Sequence, residues 1–141
     1  SEHIDVKTTL YPGTVEAVET LLSNGYRLGV CTNKPEGLAE TLLGRLGVRD
    51  LFGALIGADT LPVRKPDPLP YRRCVEIAGG AVDQSLLIGD TVTDVKTARA
   101  VGVPIVLVGF GPEGQEVTRL EPDALLSGYN QLGRVVQELI G

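Results

Sequence analysis

The chain has 141 residues, with 13 Lys and Arg against 18 Asp and Glu, for a net charge of -5. That length suits one domain whose core needs no disulfide staples. The acidic balance argues against a nucleic-acid or anionic-membrane surface, where phosphate contacts need clustered Lys and Arg, and no apolar run approaches the roughly 18 residues of a membrane helix.

The elements follow in chain order. Thr14 is placed to cap a helix whose face carries Val15, Val18, Leu21 and Leu22, and Gly25 ends it after Asn24. "YRLGVCT" (Tyr26 to Thr32) is a β-like run. Leu38, Leu42 and Leu46 mark a second helix closed by Gly47, and "ALIGA" (Ala54 to Ala58) is a second strand. Pro70 to Ala78 is helical, with Cys74, Ile77 and Ala78 expected inward. "LLIG" (Leu86 to Gly89) is a third strand, followed by a short helix through Val95, Ala98 and Val101 that Gly102 closes. "PIVLV" (Pro104 to Val108) is a fourth strand, Asp123 to Leu126 a short fifth, and Leu132, Val135, Val136 and Leu139 mark the last helix.

Strands that are continuously apolar suit a parallel sheet covered by helices on both faces, and alternation of strands with helices is the α/β signature. The expected fold is therefore a doubly wound, Rossmann-like α/β sheet. In such sheets the polar residues after strand carboxyl ends converge on one crevice. Here these are Thr32 and Asn33 after the first strand, Asp59 and then Lys65 after the second, and Asp90 and Asp94 after the third. Two carboxylates beside a lysine suit a hard cation such as Mg²⁺, which takes oxygen ligands and keeps several waters. A phosphate is a natural companion for that cation, a lysine, a threonine hydroxyl and backbone N–H groups.

Each residue also has a plainer reading. Asp90 could cap the helix that starts near Thr91 or Thr93, and Asp94 could be a first-turn acid favoured by the helix dipole. Thr32 could be a cap with Pro35 in the first turn. Lys65 alone could be a solvated surface lysine. Asp59 and Arg64 read as loop-structuring residues, and His3 has no evident catalytic partner. Capping alone does not account for strand-Thr-Asn, then Lys-Pro, then strand-Gly-Asp-x-x-x-Asp, in that order.

With these motifs together, the chain resembles the core of a haloacid-dehalogenase-superfamily phosphatase. "VCTNKP" (Val30 to Pro35) resembles the superfamily's second motif, "RKPDP" (Arg64 to Pro68) the third and "IGDTVTD" (Ile88 to Asp94) the fourth. "GADTLPVRKPDPLPY", with "YPG" at Tyr11 to Gly13, is similar to bacterial phosphoglycolate phosphatases in particular. The resemblance implies that Thr32, the backbone of Asn33 and Lys65 bind the transferring phosphoryl group. It implies that Asp90 holds Mg²⁺ and that Asp94 orients Asp90 or a metal-bound water. It also implies a small phosphorylated metabolite as substrate.

The superfamily's first motif, an apolar strand followed by Asp-x-Asp-Gly-Thr, does not occur in the 141 residues. Asp5 lacks a second Asp two positions on. Nor is there room before "YPG" for the helical cap that the family carries. The expectation is a core lacking its first strand, with residues 1–10 as a remnant of the cap-to-core linker and 11–141 as the partial core. Such a chain is expected to be a fragment, inactive alone, of a phosphatase that works through an aspartyl phosphate. The slot should be closed, or filled by an extended segment such as Ile4 to Leu10, whose residues alternate with a period of two. A neighbour's segment in that slot would make a homo-oligomer through the open sheet. The competing readings are a non-catalytic Mg²⁺ and phosphate-binding module, and a related enzyme such as a phosphosugar mutase. A flavodoxin-like receiver or nucleotide-binding domain is disfavoured by the lack of a Gly-rich loop after a first strand. Cys31 and Cys74 have no metal-ligand spacing and read as buried thiols of a reducing cytoplasm. The N-terminal residues do not read as a signal peptide.

Overall fold

The computed structural model describes residues 13–109 and 114–141. His3, Asp5, the Ile4–Leu10 segment, the 1–10 linker and the start of "YPG" lie outside the described residues. Among the described residues five strands and five α-helices alternate except where β5 follows β4: α1 Thr14–Ser23, β1 Gly29–Cys31, α2 Glu36–Arg45, β2 Ala54–Ile56, α3 Pro68–Ala78, β3 Leu87–Gly89, α4 Val92–Val101, β4 Ile105–Val108, β5 Ala124–Leu126 and α5 Leu132–Ile140. Every expected element is present, with each strand trimmed by a residue or more at its ends.

All strand pairs are parallel, as continuous apolar runs require. They form two sheets rather than one: β1 pairs with β2, and β4 lies between β3 and β5. Among the described residues nothing pairs the free edges of β1 and β3.

Helices cover both faces. On β4, Val106 and Val108 pack with Leu21 of α1 and with Leu132, Val135 and Val136 of α5, while Ile105 and Leu107 pack with Tyr71 of α3 and with Val95 and Ala98 of α4. Strand β2 divides the same way, Leu55 toward Ala39 and Leu43 of α2, and Ala54 and Ile56 toward Cys74 of α3. This two-sided burial is the reason β2 and β4 contain no polar residue.

Several local expectations change. Thr14 does not cap α1: it is the first helical residue and buried, and Gly13 at φ 83° is the N-cap. A side chain at that cap would be strained in the left-handed region. Ile77 is not inward but 52% exposed, because it lies outside the face formed by Tyr71, Cys74 and Ala78. In α2 the buried pair is Ala39 and Leu43, one position round from Leu38, which is exposed.

Candidate active site

The three expected loops meet at the carboxyl ends of β1, β2 and β3. A crevice of about 230 Å³ opens among Asn33, Lys65, Thr91, Thr93 and Asp94. It therefore spans the C-terminal edges of both sheets.

The loop after β3 is built around Asp94. Thr91 is the N-cap of α4 and forms a reciprocal capping box with Asp94. The Asp94 Oδ2 atom accepts from the backbone N–H of Asp90 at 3.1 Å, the N–H of Thr91 at 3.3 Å and the Thr91 hydroxyl at 3.1 Å. Gly89 makes this possible: a Cβ there would fall onto the Asp94 carboxylate. The first-turn-acid reading of Asp94 is thus structurally correct, and the cap is Thr91 rather than Asp90. The Thr-x-x-Asp signal of "TVTD" was present in the sequence.

Asp94 has a second partner. Its Oδ1 accepts from Lys65 Nζ at 2.7 Å, with side chains 4% and 6% exposed. Lys65 is therefore no surface lysine. Burial would raise the Asp94 pKa, but the Lys65 charge and the hydrogen bonds from Lys65, Asp90 N–H and Thr91 outweigh it and hold the carboxyl below its ordinary range. Asp90 goes the other way: burial, then the neighbouring Asp94 charge, push it up. Two carboxylates with opposite shifts in one site are the pattern of groups given different tasks.

The loops after β1 and β2 are laced together. The ladder continues past β1 with Thr32 N–H donating to Ile56 carbonyl at 2.9 Å, and Ala58 N–H donates to Lys34 carbonyl at 2.7 Å. Asn33 Nδ2 donates to the Lys65 carbonyl at 3.0 Å. Thr32 is buried, and its hydroxyl oxygen accepts from Lys34 N–H at 3.1 Å. It does not cap α2, whose N-cap is Pro35. That task falls to Asp59, whose Oδ1 accepts from Glu36 N–H at 2.8 Å, while Thr60 donates to Glu36 Oε1 at 2.6 Å. Asp59 is loop-structuring, as expected, but no local pattern could name Glu36 as its partner 23 residues away.

Among the described residues two buried acceptors, Asp90 Oδ1 and Asn33 Oδ1, have no hydrogen-bond partner. Burying a carboxylate oxygen unpaired is costly, and a cation would relieve it at Asp90. Among the described residues no group of three or more His, Cys, Asp or Glu side chains is gathered for a metal. Mg²⁺ commonly takes only one or two carboxylates, completing its shell with waters and phosphate oxygens, so the residues present fit it through Asp90.

The fold and the crevice define a doubly wound α/β protein with a buried Lys–Asp pair and an unpaired carboxylate at the strand carboxyl ends. The chain belongs to the haloacid dehalogenase-like hydrolase family, whose sequence model matches residues 2–102. It is 44% identical over 125 residues to a phosphoglycolate phosphatase of Rhodospirillum rubrum, a match covering 89% of this chain and 52% of that protein. It is 39% identical over 132 residues to a phosphoglycolate phosphatase of Mesorhizobium japonicum, covering 94% and 58% respectively. A crystal structure of a predicted phosphoglycolate phosphatase from Haemophilus somnus superposes with a TM-score of 0.80 at 28% identity, covering 90% of this chain and 57% of that one. The chain spans little more than half the length of the curated relatives it matches.

Proposed function

We propose that this chain is the core of a Mg²⁺-dependent phosphomonoester hydrolase that acts on a small phosphorylated metabolite of the phosphoglycolate kind in the cytoplasm. The observation that carries the reading is the buried Lys65–Asp94 pair beside the unpaired oxygen of Asp90. It sets at the strand carboxyl ends an ammonium aimed by one carboxylate and, next to the crevice-lining Thr91, a second carboxylate left for a cation. The relatives named phosphoglycolate phosphatase supply the substrate class. No helix of the described residues is long and apolar enough to cross a membrane.

In this reading the Lys65 ammonium donates one hydrogen to Asp94 and keeps two for phosphoryl oxygens. The Thr32 hydroxyl, which accepts from Lys34 N–H, keeps its own hydrogen for another oxygen. The Asn33 N–H positions a further oxygen. Fixing these donors before reaction is the main source of such catalysis. Mg²⁺ held by Asp90 supplies positive charge that offsets repulsion between the phosphoryl group and an anionic nucleophile. That nucleophile, an aspartate forming a covalent aspartyl phosphate, comes from a strand outside these 141 residues that enters between β1 and β3. The edges of β1 and β3 that nothing pairs among the described residues, with the loops that follow them lining one crevice, support this placement.

The test is phosphate release from phosphoglycolate and p-nitrophenyl phosphate, with and without Mg²⁺. The longer protein should turn over and the 141-residue chain should not. Sustained turnover by the repurified chain would refute the external nucleophile. Full activity of the longer protein carrying Asp90→Asn would refute the metal assignment.

A further inference from the structure

The loop after β2 meets the loop after β1 backbone to backbone. Gly57 follows β2 directly and is buried. A Cβ on it would stand 2.5 Å from the Glu36 nitrogen, 2.6 Å from the Glu36 Cα and 2.8 Å from the Lys34 carbonyl oxygen. All three are main-chain atoms, which cannot swing aside as the tip of a side chain can. Glycine is required here by the close approach of two backbones.

Thr60 holds that contact closed. Its hydroxyl oxygen accepts from the Gly57 N–H at 2.8 Å and gives its own hydrogen to Glu36 Oε1 at 2.6 Å. Its N–H donates to the Gly57 carbonyl at 3.3 Å, which closes 57–60 into a turn. One side chain thus joins the first residue after β2 to the first residue of α2. Beside it, Ala58 N–H reaches the Lys34 carbonyl at 2.7 Å and Asp59 Oδ1 accepts from Glu36 N–H at 2.8 Å. The seat of segment 34–36 on this turn decides where the preceding Thr32 and Asn33 lie. Further along the loop after β2, the Lys65 carbonyl accepts from Asn33 Nδ2 at 3.0 Å.

We propose that Gly57 and Thr60 are positioning residues for the phosphoryl site: by seating the loop after β1 on the loop after β2, they set the Thr32 hydroxyl and the Asn33 N–H at the distance from the Lys65 ammonium that a phosphoryl group spans. The inference rests on the phosphoryl-binding reading above. Neither residue lines the crevice, so each acts through the loop it holds. Donors fixed in advance are worth more than donors that must be gathered during reaction. A shift of the loop after β1 therefore weakens catalysis even where the fold survives.

The experiment measures kcat for phosphate release from phosphoglycolate by the longer protein, with each variant assayed well below its own unfolding midpoint. Thr60→Val keeps the side-chain shape and removes the hydroxyl, and Gly57→Ala drives the two loops apart. The kcat should fall at least about tenfold in Thr60→Val and about 100-fold in Gly57→Ala, since a displacement of about 1 Å can cost that much. Thr60→Ser, which keeps the hydroxyl, should restore the rate. Leu43→Ala is the comparison for lost stability alone: Leu43 is buried on α2 with Leu55 of β2, away from the loop contact. It should unfold at lower temperature and keep its kcat. Variants at Gly57 and Thr60 that lose stability and keep kcat would overturn the proposal while leaving the phosphoryl site standing. So would an equal loss of kcat in Leu43→Ala, or a Thr60→Ser as slow as Thr60→Val. Should Gly57→Ala not fold, the two Thr60 variants decide. If the unmodified longer protein releases no phosphate, the phosphoryl-binding reading fails and this inference with it.

Discussion

Lys65 Nζ and Asp94 Oδ1 lie 2.7 Å apart with both side chains almost wholly buried. The pair joins the loop after β2 to the first turn of α4, so it ties the two separate sheets together at their carboxyl ends. Asp94 divides its oxygens: Oδ1 aims the ammonium, and Oδ2 closes the start of α4. A helix cap and a site residue are the same side chain.

Breaking that pair from one side leaves a buried charge unmatched. Lys65→Met should destabilise the chain by about 3–5 kcal/mol in urea unfolding, and the double variant Lys65→Met, Asp94→Asn should lose less than the sum of the two single changes. Strictly additive losses would show that the two groups do not depend on one another.

The two aspartates should act on stability with opposite signs. Asp94 is held below its ordinary value of 3.8, so its contribution is present above that pH and is lost as pH falls through the folded value. Asp90 is raised, so its contribution is present below 3.8 and is lost as pH rises through the folded value. Without metal, ionised Asp90 therefore opposes folding, and above the folded value Asp90→Asn should raise the unfolding midpoint in a chelator. Mg²⁺ should stabilise the unmodified chain, by about 2.7 kcal/mol at a hundredfold excess over its Kd, and should leave Asp90→Asn unmoved. A Mg²⁺ response retained by the variant would remove Asp90 from the metal site.

Gly89→Ala should be costly for a local reason. The added methyl falls on the Asp94 carboxylate, so the capping box and the ion pair must shift together. Overpacking costs about 1–3 kcal/mol and a lost cap about 1 kcal/mol more. Gly133→Ala in α5 is the control: nothing lies within 4 Å of its Cβ position, and helix propensity favours alanine by about 1 kcal/mol. Thermal unfolding of both variants checks the contrast.

The cysteines should be chemically quiet. Burial pushes the Cys31 thiol up to about 11 and the Cys74 thiol up to about 12. Thiolate is the reactive form, so alkylation by iodoacetamide at mildly alkaline pH should be far slower in the folded chain than in urea. Tyr71 is raised to about 12, again by burial. In the unfolded chain the thiols release their protons near 9 and the tyrosine near 10, before the folded groups do. Stability should therefore fall as pH rises above 9. A flat stability profile between pH 9 and 11 would contradict this burial.

Much of the fold and site was legible along the chain, for reasons that are local. Continuous apolar runs such as "IVLV" announce strands covered on both faces, and glycines after Asn24, Leu46 and Val101 announce helix ends where the backbone turns left-handed. The order of Thr32, Asn33, Lys65, Asp90 and Asp94 after three strands was enough to expect them on one edge, because parallel strands bring their carboxyl ends together.

What tertiary structure alone decided is which groups meet. Nothing in the spacing of Lys65 and Asp94 says that an ammonium and a helix-capping acid share a buried bond across 29 positions. Nor does it say that Asp59 caps α2, or that the Asn33 amide grips the Lys65 carbonyl and leaves Oδ1 unpaired. Burial of Ala39 and Leu43 rather than Leu38, and exposure of Ile77, were also beyond periodicity, because several apolar residues on one helix leave more than one inward face open. Chain sequence determines strand and helix type through short-range sterics and hydrophobic period. The pairing of polar groups depends on where the loops of separate sheets come to lie, and that distance exists only in the folded molecule.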